Sequence, residues 1–309
     1  MKAPMFANKY MAHALGGYCG YKYLNNEPAL KNAIKNGHRY FEVDLTLTED
    51  GHVMPSHGWT EDDCRRSGMP YSEEFAHMTR ELFLRQSVHD MPTMDIETLY
   101  GYMKKYKKFC WQLDLHTLPK DEAARVTRAV LGDLHHDEEL LSRILVQANS
   151  PEMFEGIESV YHFSYYQMFV KRGTSLTELE ELLDFCKSNG IISVAISAKD
   201  VNDEYIRLIK KYGLYILVYS LDDQKKADRL INAGVDIICT NKLSPRADRE
   251  RRRKERTPRK IAGRLKRKIR KYLKKIRSKT WVKIIAPPKG SDYFDAIALS
   301  DIACKSDMF

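Results

Sequence analysis

The chain has 309 residues, 43% of them hydrophobic and 30% charged, a mix that can bury a substantial core and is not that of a disordered chain. The net charge of +9 is concentrated: residues 246–279 hold 19 Lys or Arg against 3 Asp or Glu, a balance of +16, which leaves the rest of the chain at −7. No segment approaches the roughly 20 apolar residues of a membrane span, the N-terminal MKAPMFANKYMAHALGG has no signal-like apolar run, and the six scattered cysteines lack zinc-knuckle or redox spacing, so a reduced, cytoplasmic protein with buried free thiols is expected.

Short apolar runs alternate with helix-like segments along most of the chain. Predicted strands lie at 10–14, 39–45, 109–115, 143–147, 158–163, 191–196, 214–219 and 235–239. Predicted helices fall between them at 27–36, 95–107, 121–133, 151–157, 177–188, 202–211 and 223–233. Asp95, Asp121 and Asp222 stand where N-caps belong, and Gly37, Gly190, Gly213 and Gly234 follow the helices as C-terminal stops do. Alternation of this kind implies an α/β fold with a parallel sheet and crossover helices. Eight units suit a closed (β/α)8 TIM barrel better than an open doubly wound sheet, and no Gly-rich phosphate loop follows the first strand. The barrel is expected to occupy 1–245 and a basic, helical C-terminal extension 246–309. The 45–94 stretch is long for one strand-to-helix connection, as lids and substrate loops are.

The chemistry begins at Glu42-Val43-Asp44. In a strand, positions i and i+2 share one face, so both carboxylates point the same way. Two acids on one face repel and need a divalent ion or an Arg or Lys beside them. Glu49-Asp50-Gly51 is a turn signal and Val53-Met54 a short extended return, so the chain doubles back and carries His57 toward the acids. His13 ends the first strand, next to the second in a barrel. Trp59 and Tyr18, Tyr21 and Tyr23 lie in the flanking loops, where aromatics stack on sugars or clasp cationic headgroups or simply pack the loops.

These residues together resemble the glycerophosphodiester phosphodiesterase family, within the wider group of phospholipase C-like phosphodiesterases. The resemblance is carried by Ala12-His13, Asn25 in LNNEPALKNAIKNG, FEVDLTLTEDG, His57, Asp114 in WQLDLH, LYILVYSLDD and INAGVDIICTNKLS. It spans residues 10–245 and is most specific in its first third. It implies that Glu42, Asp44 and Asp114 ligate one divalent cation, Mg2+ or Ca2+ given an all-oxygen donor set. It implies that His13 and His57 act as the acid–base pair on a phosphodiester substrate, with Asn25, His116, Trp59 and Tyr219 in contact with that substrate. The sequence departs from the family's usual pattern at Ala14 in place of Arg, Gly58 in place of Asp, His116 in place of Lys and Tyr219 in place of Trp. Two phosphate-facing cations are thereby lost, for which Lys22, Arg65, His116 or Lys199 are candidate substitutes. A histidine followed by glycine is also similar to the sphingomyelinase D-like branch, which forms cyclic phosphates. The alternatives are such a lyase and a non-catalytic module that binds anionic lipid or nucleic acid.

Beyond Pro258, Ile261, Leu265, Ile269, Tyr272, Leu273 and Ile276 recur at helical spacing among lysines and arginines. A basic amphipathic helix over 258–280 suits an anionic membrane surface, which places the protein peripherally on the inner face of the membrane. Nucleic acid is the competing polyanion and ranks second.

Overall fold

Apolar and β-branched runs form the expected strands, and each strand alternates an inward with an outward face. A computed structural model describes residues 4–254, 265–271 and 273. Eight parallel strands make the barrel: β1 (Tyr10–Ala12), β2 (Tyr40–Leu47), β3 (Cys110–Asp114), β4 (Ile144–Ala148), β5 (Tyr165–Phe169), β6 (Ser193–Ser197), β7 (Tyr215–Tyr219) and β8 (Ile237–Thr240). They pair in sequence order, and β1 pairs with both β2 and β8, so the sheet closes as a TIM barrel. Asp44 lies directly opposite Asp114 and Glu42 opposite Gln112 in the β2–β3 register. That register brings the three acids to one end of the barrel.

On β2, Phe41, Val43 and Leu45 point outward into the core under the helices, while Tyr40 points into the barrel. The barrel floor is closed by a 3-10 turn, Pro4–Ala7, which inserts Met5 and Phe6 and stacks Phe6 on Tyr215 at 3.8 Å. Above the floor lies a buried polar layer. Gln112, Gln147 and Gln167 bond to one another, with Tyr40 and Ser193 at its ends. Each buried amide there has a partner, as such groups require.

Helices connect the strands: α1 (Glu27–Lys35), then α2 (Glu61–Ser67), α3 (Arg80–Leu84) and α4 (Ile96–Lys105) before β3. They continue as α5 (Lys120–Asp133), α6 (Glu138–Leu141), α7 (Pro151–Glu158), α8 (Leu176–Ser188), α9 (Asp203–Lys211) and α10 (Gln224–Ala233). Asn26 and Ser150 cap α1 and α7 through side-chain bonds to Ala29 and Met153. One predicted strand is corrected. Residues 158–163 end α7 and form a loop, and the strand is β5, whose inward Gln167 interrupts the apolar run. The caps are corrected too: Asp223, not Asp222, caps α10, and Pro119 precedes α5.

The 45–94 connection is a folded insertion. Val53–Pro55 returns antiparallel to β2, α2 and α3 follow, and a hairpin of Ser87–Val88 with Met91–Pro92 closes it. The chain divides into two compact units, Met1–Arg251 and Arg252–Phe309. The first unit ends in a helical segment that Arg246 and Ser244 tie to the carbonyl of Asn36, and that Arg251 ties to Asp228 at 2.8 Å. In the second unit, 265–271 is helical and Leu265 and Ile269 are exposed, as is Leu273. Ile261, Tyr272 and Ile276 lie outside what is described there. Among the described residues, no helix is long and apolar enough to cross a membrane.

Candidate active site

A cavity of about 330 Å³ opens at the C-terminal ends of the barrel strands, the end where sites form in this architecture. His13, His57, Glu42, Asp44, Asp114 and Tyr219 all line it. Glu42, Asp44 and Asp114 each offer an oxygen, and these lie within 4.8 Å of one another. Burial pushes the Glu42 carboxyl well above its usual range, and the neighbouring Asp44 and Asp114 add to the shift. Burial likewise raises Asp114, against the lowering influence of His116 and with Asp44 raising it further.

Each acid has one orientation. The backbone N–H of Ala14 donates to Glu42 at 2.6 Å. Asn25 donates to Asp44 at 2.8 Å and accepts from its backbone N–H. Asp114 accepts from the His116 backbone and from Gln147, each at 2.8 Å. The polar layer inside the barrel thus ends on Asp114.

The two histidines are held differently. His13 Nδ1 lies 2.9 Å from Asn241 Oδ1. Asn241 is fixed in turn by Asp222, which accepts from its backbone N–H at 2.8 Å and also binds Thr240. His57 Nδ1 lies 2.9 Å from Asp63 Oδ1 on α2. Burial would raise Asp63, but bonds from Thr60 and His57 hold its carboxyl below the usual range. At Gly58, φ is +132° and a Cβ would stand 2.5 Å from Asp63 Oδ2, so this glycine leaves room for the acid. The carboxylate absent beside His57 in the sequence therefore reaches the imidazole from Asp63.

Other expected residues are placed less directly. Asn25 lies behind Asp44 and orients it. His116 stands 4.6 Å from His57, ring to ring, with Nε2 toward Thr46, and does not line the cavity. Trp59 is half-buried; its ring packs toward Phe83 at 6.3 Å against the core and does not line the cavity. Arg65 pairs with Asp62 on the surface, while its neighbour Arg66 lines the cavity with Arg172 and Lys199. Lys22 does not line it. Tyr23 stands between the histidines, 4.9 Å from His13 and 6.4 Å from His57. Asp63, Arg66, Asn241 and Asp222 were not selected by spacing. Asp63 lies in the TEDD run that opens α2, and Asp222 and Asn241 lie in the LYILVYSLDD and INAGVDIICTNKLS segments, which gave neither residue a role in the site.

The family described as glycerophosphoryl diester phosphodiesterase matches residues 20–244. The chain belongs to this family. Its reaction class is that of a phosphoric diester hydrolase. Solved structures of the family share the fold at low identity. A phosphodiesterase from Oleispira antarctica, solved with the product sn-glycerol-3-phosphate, is 15% identical with a TM-score of 0.62, covering 76% of this chain and 93% of its own. A protein from Silicibacter pomeroyi described as a glycerophosphoryl diester phosphodiesterase is 16% identical with a TM-score of 0.63, covering 78% and 92%. One from Galdieria sulphuraria is 16% identical with a TM-score of 0.62, covering 75% and 93%. No curated protein matches in sequence.

Proposed function

We propose that the protein is a divalent-cation-dependent phosphodiesterase acting on a glycerol-, lipid- or polysaccharide-linked phosphodiester, with His13 and His57 as its acid–base pair. The observation that carries this reading is the convergence of both histidines and three acids on one cavity. The donor set fits a divalent cation. Three carboxylates face each other, burial raises two of them, and none has an ion-pair partner among the described residues. Glu42, Asp44 and Asp114 would hold Mg2+ or Ca2+, which polarises a phosphoryl oxygen and offsets developing charge.

The hydrogen bonds support a division of roles between the two histidines. Asn241 Oδ1 is an acceptor 2.9 Å from His13 Nδ1, an arrangement that favours the tautomer with its proton on Nδ1 and Nε2 open to accept one. His13 is therefore the base that takes a proton from water or from a neighbouring substrate hydroxyl. Asp63 gives the His57 ring a charge partner once it carries a second proton. His57 is therefore the acid that protonates the leaving alkoxide. Phe169 stacks on Tyr219 at 5.3 Å and forms an aromatic wall for the rest of the substrate.

The neighbour that holds sn-glycerol-3-phosphate makes glycerol phosphodiesters the first substrates to test. Turnover of a phosphodiester panel in Mg2+, Ca2+ or EDTA, followed by phosphorus NMR, tests the reading. Release of a phosphomonoester in a metal-dependent way is expected. A cyclic phosphate would reassign the nucleophile to the substrate's own hydroxyl, and full activity in excess chelator would sink the metal.

The basic segment is read as a membrane-surface element. Leu265, Ile269 and Leu273 recur every four residues and are exposed, among Lys266, Lys268, Arg270 and Lys271. Co-sedimentation with vesicles of phosphatidylserine, but not of phosphatidylcholine, is expected, and loss of it on truncation after residue 254. Binding to RNA that phosphatidylserine vesicles fail to displace would favour nucleic acid instead.

A further inference from the structure

Arg66, Arg172 and Lys199 are the cationic side chains that line the cavity among the described residues. They differ in what already holds them. Arg172 lies 3.5 Å from the Asp200 carboxylate. Lys199 is exposed on the loop after β6. Arg66 touches a histidine: its Nη1 is 3.0 Å from His57 Nε2, and its guanidinium lies 5.8 Å over the Tyr23 ring. Among the described residues no carboxylate pairs with Arg66, whereas the adjacent Arg65 is paired with Asp62.

A guanidinium has no acceptor and stays protonated, so the contact is a donation from Arg66 to His57 Nε2. Asp63 takes the Nδ1 proton of the same ring. Asp63 and Arg66 are three residues apart on α2 and share a face. One short helix, packed inward through Cys64 and Ser67, therefore holds both nitrogens of the His57 imidazole. The cavity-facing nitrogen is occupied while no anion is bound. A guanidinium fork donates two parallel bonds to a phosphate, and the imidazole lone pair accepts one.

We propose that Arg66 is the phosphate-gripping cation of this site and that it exchanges partners, resting on His57 Nε2 in the free protein and moving to a phosphate oxygen of the bound diester. The exchange uncovers Nε2 in the same movement that clamps the phosphate, and the freed nitrogen then takes a proton from solvent, with Asp63 as its charge partner at Nδ1, before giving it to the leaving oxygen. This inference rests on the phosphodiesterase reading of the same cavity.

The test uses the full chain with Mg2+, inorganic phosphate as the binding probe and bis(p-nitrophenyl) phosphate as the substrate. Arg66→Ala is expected to weaken phosphate binding about tenfold, by calorimetry. It is expected to lower kcat/KM by about 10²-fold, with partial rescue by added guanidinium ion or by Arg66→Lys. Arg65→Ala, one residue away and surface-paired, is expected to leave both unchanged. Nitrogen-15 NMR should show the His57 Nε2 resonance moving when phosphate is added to the wild type and not to Arg66→Ala. Unchanged phosphate affinity and kcat/KM in Arg66→Ala would overturn the grip, and a still His57 resonance in the wild type would overturn the exchange. A wild type that turns over no diester, yet loses phosphate affinity in Arg66→Ala, would sink the hydrolase reading and leave Arg66 standing.

Discussion

The two sides of the cavity are built from different materials. On the barrel side, Glu42 and Asp44 are 4% and 3% exposed and sit on a closed ladder with Asp114 in register. Their histidine, His13, is tied to a carboxamide, Asn241. On the insertion side, His57 is tied to a carboxylate, Asp63, on a seven-residue helix, and Arg66 beside it is exposed. The barrel side concentrates like charges on a rigid frame, and a divalent cation would relieve them. The insertion side holds its groups by short, local bonds that can be remade around a substrate. Fixed charge thus sits on the ladder, while the insertion carries groups held by local bonds.

The largest break in that division is expected on the barrel side. Glu42→Gln or Asp114→Asn should lower phosphodiester turnover by about 10³-fold or more, because several kcal/mol of transition-state stabilisation is lost with the cation. Stability should move the opposite way in chelator. Glu42 is raised in the folded state, so its favourable contribution is present below the unfolded value of 4.5 and is lost as pH rises through the raised folded value. Thermal melts in EDTA at neutral pH should therefore show Glu42→Gln above the wild type. Adding Mg2+ should raise the wild type and leave the variant where it was. A variant that melts below the wild type in EDTA would contradict the strain assigned to the three acids.

A second pair of variants sharpens the contrast between the histidines. Asp63→Asn removes the charge partner of His57 and permits the wrong tautomer, so kcat should fall by about 10²-fold with KM little changed. Asn241→Ala removes a neutral partner from His13, and a loss of about tenfold is expected. Steady-state kinetics on one diester decide the order. Equal losses would mean that the carboxylate and the carboxamide serve the same purpose, and the division of roles would fail.

The barrel side was the legible side. Its acids follow from the period of a strand, and the eight strands from runs of apolar residues. Even the misplaced strand follows this logic, because Gln167 turns inward and joins the polar layer at the cost of a clean apolar run. The insertion side was hidden because its geometry depends on a turn, a return strand and a short helix acting together. Thr60 caps α2 and thereby sets which residues face His57: Asp63 and Arg66, not Asp62 and Arg65. Asp222 has the sequence position of a cap, yet its carboxylate is spent on Thr240, Asn241 and Lys242. Trp59 has the look of a loop aromatic, yet part of its indole is covered by packing toward Phe83.

An effect on kcat no larger than that of Asn241→Ala is expected at Gly58. Its φ of +132° suits glycine, and any Cβ would meet the Asp63 carboxylate. Gly58→Ala should destabilise the fold by about 1–3 kcal/mol through backbone strain. It should also displace Asp63 from His57 without removing its charge, so the loss of kcat should be about tenfold, less than for Asp63→Asn. Urea unfolding and steady-state kinetics read the two effects separately. If Gly58→Ala loses stability but keeps full kcat, Asp63 tolerates displacement and the close approach at Gly58 serves the turn alone. If it loses as much kcat as Asp63→Asn, the position of the carboxylate matters as much as its charge, and the insertion side is more rigid than its exposure implies.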